Sequence, residues 1–289
     1  MPELPEVEVV KRSLANKVQN LIIKAVKIND GRLRYYIVKK DIRKIIGLRL
    51  KKIKRRSKFL LFFFNKHIIM LIHLGMTGKL FFIDNKNTKF KTSFYYNINA
   101  QKDHIHDRVI FFLNKNQQLI YNDVRKFGFI KFYNNKDIND NLHLNNLGPE
   151  PLKKEFDYNY FRQYIAGKKR EIKNILMDQK FVSGIGNIYA NEILFLSKVQ
   201  PSRKVKKLKD AEIKKIIKFT KSVLRNSIKL GGSSIKDFSS SNGKKGSFQQ
   251  FFNVYGKKGE LCSNKNCNNK IVRSVISNRA TYYCPNCQK

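Results

Sequence analysis

The order of apolar and polar residues changes character along the chain. Leu4, Val7, Val10, Leu14 and Val18 recur at helical spacing, with Pro5 suited to a first helical turn and Glu6 and Glu8 near its positive end. An N-terminal helix is expected there. From Leu21 onward the pattern shortens to β-branched and aromatic runs: Leu21 to Ile28, Leu48 to Ile53, Phe59 to Phe64, Ile68 to His73, Leu80 to Ile83, Val109 to Leu113, Leu119 to Tyr121 and Phe127 to Tyr133. These predict a β-sandwich or barrel, so that residues 1–134 form one domain. Residues 135–152 are Asn-rich, lack periodicity and close on Leu147-Gly148-Pro149-Glu150-Pro151, which reads as a linker. Helical spacing then returns over 153–255, near Tyr158 to Ala166, Glu171 to Lys180, Asn187 to Lys198 and Asp210 to Leu230, interrupted by a polar loop at 231–249. The last segment, 256–289, holds every cysteine. The expected fold is α+β and multidomain.

Charge narrows the function. The chain of 289 residues carries 60 Lys and Arg against 21 Asp and Glu, a formal net charge of +39, far more than solubility needs. Codon bias could enrich Lys and Asn, but it does not explain the scarcity of acids, so a polyanionic partner, nucleic acid, is expected. No apolar run reaches the roughly 20 residues of a membrane span, and the acidic start Met1-Pro2-Glu3-Leu4-Pro5-Glu6 is unlike a signal peptide. A cytoplasmic protein is therefore expected. In that compartment Cys262-x4-Cys267 and Cys284-x2-Cys287, separated by a hairpin-sized insert, read as four thiolates around one zinc ion rather than as disulfides. The insert carries Lys270, Arg273 and Arg279, which suits a finger that touches phosphate as well as one that is purely structural.

The terminus itself suggests chemistry. Removal of Met1 exposes Pro2 as a secondary amine with a reference pKa of about 7.7 to 8.0, partly neutral near pH 7 and therefore nucleophilic. Attack of such an amine on a sugar carbon gives an iminium that cannot lose an N–H proton, a persistent electron sink that favours elimination of flanking phosphates. Glu3 is near enough in sequence to serve as acid or base. A proline and acids at the start of a helix also have a plain structural reading.

Met1 to Glu8 resembles the start of the formamidopyrimidine-DNA glycosylases, and the similarity continues through Arg55-Arg56-Ser57-Lys58, His73-Leu74-Gly75-Met76-Thr77-Gly78, Asp123-Val124-Arg125-Lys126-Phe127-Gly128, Leu147 to Pro151, Gly184-Ile185-Gly186-Asn187-Ile188-Tyr189, Val254-Tyr255-Gly256 and the cysteine module with Arg279-Ala280-Thr281. The resemblance implies an N-terminal helix on a β-sandwich, a helix-two-turn-helix domain and a C-terminal zinc finger, with damaged duplex DNA in a basic cleft between. It implies a monomer, associated with the bacterial nucleoid, that removes oxidised purines such as 8-oxoguanine and formamidopyrimidines. Cleavage of the abasic site by β,δ-elimination would follow.

Position by position, Pro2 is implied as the Schiff-base nucleophile and Glu3 as the proton donor, with Lys58 serving β-elimination and Arg279 δ-elimination. Met76, Arg125 and Phe127 look like the wedge that fills the hole left by the flipped nucleotide. His106, Lys168, Asn187 and Tyr255 look like backbone contacts, His73 like a further DNA-binding residue, Glu6 like a damaged-base pocket residue, and 231–249 like the loop that closes over the base.

Several of these positions have other readings. Met76 and Phe127 have the chemistry of a wedge and equally that of core residues. Gly184 and Gly186 before Asn187 form a turn into a helix N-terminus, a good phosphate seat, though such caps are common. Lys58 and Lys168 taken singly read as solvated lysines. The first cysteine pair departs from the family pattern: it encloses Ser263-Asn264-Lys265-Asn266 where two residues are usual. Endonuclease VIII-like enzymes acting on oxidised pyrimidines are the sister class; Leu4 and the Arg125 and Phe127 pair favour the purine branch. A non-catalytic architectural DNA-binding protein is a further alternative, against which Pro2, Glu3 and Lys58 argue.

Overall fold

The computed structural model describes residues 1–84, 104–138, 141–233 and 248–289, with the backbone alone at 89–91. Most of the loop expected at 231–249 lies outside the described residues. The chain divides into two compact units, Met1–Asn145 with Leu230–Ser247, and Asn146–Lys229 with Phe248–Lys289.

In the first unit, helix α1 (Leu4–Val18) forms as its spacing predicts, burying Val7, Val10, Leu14 and Val18. It ends where Gln19 turns extended and Asn20 takes φ 67°. The strands that follow are β1 (Ile23–Ile28), β2 (Leu50–Arg56), β3 (Phe59–Phe64), β4 (Ile68–His73), β5 (Lys79–Ile83), β6 (Lys89–Lys91), β7 (Asp107–Leu113), β8 (Gln117–Asn122) and β9 (Phe129–Asn134). They pair antiparallel in two sheets, ordered β1-β7-β8-β5-β6 and β2-β3-β4-β9. Leu60, Phe62 and Phe64 of β3 meet Leu80, Phe82, Phe111 and Tyr121 in the core between the sheets. The alternate residue Leu61 is buried on the other face with Ile69, Leu71 and Phe129. Burial on both faces explains why β3 reads as an unbroken apolar run rather than an alternating one.

Two elements lack a period in the sequence: β6, and the short helix α2 (Lys39–Arg43), which buries Ile42 alone. Strand β9 begins two residues later than the apolar run suggested. Lys126 holds φ 59°, and the Gly128 N–H goes to the Asp123 carboxylate at 2.9 Å, so Phe127 stays in a loop.

The second unit contains α3 (Tyr158–Ile165), α4 (Ile172–Met177), α5 (Asn187–Leu196) and α6 (Asp210–Lys229). Asp157 caps α3 by accepting the Tyr160 N–H at 2.8 Å. Between α4 and α5 the chain makes two turns held by Gln179, whose Oε1 accepts the Gly184 N–H at 2.7 Å while its Nε2 donates to the carbonyls of Met177 and Ile185. Helix α5 is buried along nearly its whole length and meets α6 through the Tyr189–Ser227 hydroxyl pair at 2.6 Å. The unit closes with a hairpin, β10 (Val272–Ile276) and β11 (Arg279–Tyr283), whose turn residues Ser277 and Asn278 both have positive φ, as a two-residue type I′ turn requires. Around it Cys262, Cys267, Ile271 and Cys284 pack on Phe195 and Val254. The architecture is therefore an N-terminal helix on a β-sandwich, a helix-two-turn-helix unit and a C-terminal cysteine cluster.

Burial of both faces of β3 has a measurable consequence. Leu61→Ala should destabilise the protein by about 2–5 kcal/mol, as for a core leucine, whereas a solvent-facing position would lose almost nothing. The urea midpoint of unfolding, with unchanged slope, is the readout.

Candidate active site

The chain terminus is built into the first turn of α1. Glu3 is the N-cap residue and is buried; its backbone N–H donates to Glu6 Oε2 at 2.7 Å. The other oxygen of Glu6 accepts from both the N–H and the hydroxyl of Ser233, at 3.0 and 3.2 Å. Glu6 is thus buried with its carboxylate already engaged, and direct contact with a lesion would require Ser233 to release it. Desolvation lowers the pKa of the Met1 amine below the ordinary α-amino value. Lys58 and Arg125 add to that shift, while Glu3 and Glu6 oppose it.

Lys58 is buried on the tight turn between β2 and β3, where Ser57 has φ 54°. Arg55 ties that turn to the helix. Its Nε donates to Glu8 Oε2 at 3.0 Å and its Nη1 to the Ser57 carbonyl at 2.9 Å. Burial pushes the Glu8 carboxyl up, but hydrogen bonds from Arg12, Lys11 and Arg55 more than offset this and hold it below its ordinary range.

Met1, His73, Met76, Arg125 and Phe127 line one cleft of about 620 Å³, together with Arg34, Gly75 and Lys126. Met76 and Phe127 are 37% and 47% exposed and so belong to no core. The Arg125 guanidinium lies 4.6 Å from the Phe127 ring centroid. His73 Nδ1 accepts the Gly75 N–H at 3.1 Å, which assigns the proton to Nε2. Burial, with Lys58 and Arg34 nearby, pushes the His73 pKa down to about 3, so the ring is neutral. Arg34 was not singled out from the sequence, although its N–H is fixed by the Gly128 carbonyl at 3.1 Å. His106 sits on a short 3-10 turn with its Nδ1 3.1 Å from Arg108 Nη2.

The remaining candidates lie in the second unit. Lys168 folds back over the Tyr164 ring at 4.3 Å and donates to the Tyr164 carbonyl, capping the end of α3. Asn187 opens α5, and its Nδ2 donates to the Ala280 carbonyl at 3.0 Å. Arg279 is exposed at the start of β11. The Tyr255 N–H donates to Glu192 at 2.9 Å; the same buried carboxylate also takes the N–H groups of Asn253 and Val254. Lys173, absent from the sequence-based candidates, is fully buried on α4. Its Nζ donates to the Ala280 carbonyl at 3.0 Å and to Thr281 Oγ1 at 2.7 Å, pinning the strand that bears Arg279. A lysine inside the apolar stretch Ile172 to Met177 was the available signal.

The four cysteine Sγ atoms lie within 4.8 Å of one another, with Cys262–Cys287 at 3.8 Å and Cys267–Cys284 at 3.6 Å. Tetrahedral bonds of about 2.3 Å put sulfurs about 3.8 Å apart, so this donor set fits a thiolate-bound metal ion.

A cationic cleft lined by the chain end, with Met76 and Phe127 exposed beside Arg125, suits a DNA glycosylase of base-excision repair, and the comparisons with known proteins agree. The formamidopyrimidine-DNA glycosylase N-terminal domain model matches residues 1–130, and the H2TH domain model of the same enzymes matches residues 147–239. A formamidopyrimidine-DNA glycosylase of Rickettsia bellii (strain OSU 85-389) is 38% identical over 289 residues, covering 100% of both chains. A mutant Lactococcus lactis FPG in complex with a Fapy-dG containing DNA has a TM-score of 0.85 at 31% identity over 100% of both chains. The wild-type L. lactis protein with an oxidised-pyrimidine containing DNA has a TM-score of 0.84, with the same identity and coverage. The chain belongs to the formamidopyrimidine-DNA glycosylase family. Among the described residues no helix is long and apolar enough to cross a membrane.

Lys173→Met keeps the length and apolar stem of the side chain but removes both hydrogen bonds to β11. Amide exchange across Arg279 to Tyr283 should accelerate by about tenfold while exchange in α5 and α6 is unchanged. Uniform acceleration would assign Lys173 to global stability instead.

Proposed function

We propose that this enzyme removes 8-oxoguanine and formamidopyrimidines from duplex DNA and then cleaves the abasic site by β,δ-elimination through a Schiff base on Pro2. The observation that carries the reading is the tie between the buried Lys58 turn and helix α1 through Arg55 and Glu8, at the end of the chain where Pro2 precedes the buried Glu3. Once Met1 is removed, Pro2 nitrogen attacks the sugar C1′, the base departs with a proton supplied by Glu3, and the opened sugar remains as an iminium. Lys58 assists loss of the 3′ phosphate, and Arg279 assists loss of the 5′ phosphate. Met76 and Phe127 fill the vacated stack, offsetting the few kcal/mol that flipping costs. The orphaned cytosine exposes N3 and O2, two adjacent acceptors that match the fork of Arg125; adenine offers one acceptor beside a donor.

His73 is neutral and donates through Nε2–H, which suits a phosphate oxygen. His106, Lys168, Asn187 and Tyr255 contribute further contacts to the DNA backbone, and Glu6 serves the damaged-base pocket once Ser233 lets go. The chain works as a monomer. A second substrate class is favoured by one comparison, since the L. lactis FPG is also solved with an oxidised pyrimidine; thymine glycol duplexes belong in the same assay.

Cyanoborohydride should trap the protein covalently on an 8-oxoguanine duplex, and mass measurement should show a free Pro2 terminus. A protein that retains Met1 yet excises the lesion would overturn the mechanism. The surroundings that depress the Met1 amine, burial first and then Lys58 and Arg125, would act in the same direction on a Pro2 amine, so the low-pH limb of trapping should lie below the ordinary α-amino range. Lys58→Gln removes a cation and should move that limb to higher pH. Glu3→Gln should block base release far more than cleavage of a preformed abasic site; equal loss would refute its role as proton donor.

The cysteine site holds one zinc ion per chain. Metal analysis should return one equivalent of zinc, and Cys287→Ser should lose both the metal and DNA binding while the β-sandwich stays folded, because such a module folds on its metal. Active protein containing no metal would contradict this.

A further inference from the structure

We propose that Asp123 and Thr77 are positioning residues that lock the Met76 loop to the Arg125–Phe127 loop, so that both enter the duplex as a single rigid wedge. The inference rests on the wedge assigned above and deepens it.

Asp123 is fully buried. Its Oδ1 accepts the Thr77 hydroxyl at 2.5 Å, and its Oδ2 accepts the Gly128 N–H at 2.9 Å and the Tyr121 hydroxyl at 3.3 Å. With its one hydrogen donated in the bond to Asp123, Thr77 Oγ1 accepts the Arg125 N–H at 3.0 Å. A backbone N–H only donates and a hydroxyl has a single hydrogen, so the relay runs from the Arg125 N–H to Thr77 and from Thr77 to Asp123. Asp123 is itself held by its backbone. Arg108 Nε donates to its carbonyl at 2.8 Å, and its N–H donates to the His106 carbonyl at 3.1 Å.

The backbones of the two loops are also in contact. Gly75 has φ +60°, and a Cβ there would lie 2.4 Å from Phe127 C and Gly128 N. Met76 and Thr77 are adjacent on one loop, and Arg125 and Phe127 flank the left-handed Lys126 on the other. Lys126 is drawn aside by Asp30 at 2.6 Å, which leaves Arg125 stacked on Phe127. A side chain that must read two acceptors on one base needs its backbone held, and a carboxylate accepting three hydrogen bonds in a buried site supplies that rigidity.

The test uses Thr77→Val, which keeps the shape and removes both hydrogen bonds, and Thr77→Ser, which keeps the hydroxyl. Each is bound to a duplex carrying a tetrahydrofuran abasic analogue, with 2-aminopurine beside the orphan cytosine; its fluorescence rises when the wedge unstacks it. Each is also assayed for excision of 8-oxoguanine opposite cytosine and opposite adenine. Thr77→Val should lose most of the fluorescence rise and about fivefold to tenfold of the preference for cytosine. Thr77→Ser should restore both. If Thr77→Val does not fold, Asp123→Asn, which keeps an acceptor for the Gly128 N–H, should show the same losses.

Wild-type fluorescence and preference in folded Thr77→Val would overturn the proposal, and so would equal losses in the serine variant. If the wild-type protein excises no oxidised purine, the substrate reading fails. The fluorescence arm contains no damaged base and still decides the wedge.

Discussion

The first turn of α1 depends on the Glu6 carboxylate. Chain ends fray, and the first N–H groups of a helix have no partner within it. A chain end held in one place must escape both problems. Glu6 does so by accepting the Glu3 N–H with one oxygen and Ser233 with the other. Glu8, one turn fragment later, takes Arg55 and through it fixes the turn that bears Lys58. Both acids also sit where the helix dipole favours negative charge. Two carboxylates thus set the positions of the chain end and of the Lys58 turn.

Elsewhere the charges divide into two populations. The surplus of exposed lysines and arginines gives the field that attracts a polyanion, and position by position it is interchangeable. The buried charges are not. Lys173, Asp123 and Glu192 each end on backbone groups of a loop or strand, and each fixes a segment that carries a candidate side chain: Arg279, the Arg125–Phe127 loop and Tyr255; Arg108 ends on the Asp123 carbonyl and holds the second of these from the other side. A buried charge left without such partners would cost several kcal/mol, which is why these contacts are geometrically specific.

Much of this was legible in the sequence for physical reasons that also set the limits. The period of α1, the runs of β3 and β4 and the helices α3 to α6 follow from burial of one face or of both, and burial leaves a period. Helix α2 buries only Ile42 and leaves none. Phe127 was read as the start of a strand because an apolar side chain looks alike whether buried or exposed; only the positive φ of Lys126 takes it out of the ladder. Lys173 left only the weak signal of a lysine within an apolar stretch, easily lost in so basic a chain, and its importance comes from partners more than a hundred residues away. Lys168, expected from the resemblance to contact the DNA backbone, has a local task in the structure, capping α3.

The support for the proposed eliminations differs accordingly. Pro2, Glu3 and Lys58 stand in a unit whose rigidity comes from sheet packing and paired carboxylates. Arg279 stands at the start of a hairpin strand, β11, with little core of its own; that strand is held by Lys173, by Asn187 at the Ala280 carbonyl and by Asn191 at the Tyr282 N–H. A small hairpin held by a few polar contacts and a metal-binding cluster is the less stable of the two supports, since its ordering draws on no large buried apolar surface. Loosening it would displace Arg279 first and leave the amine and Lys58 in place. The step assigned to Arg279 is therefore the one most sensitive to the state of the cysteine site, and the step assigned to Lys58 the one most sensitive to the first turn of α1.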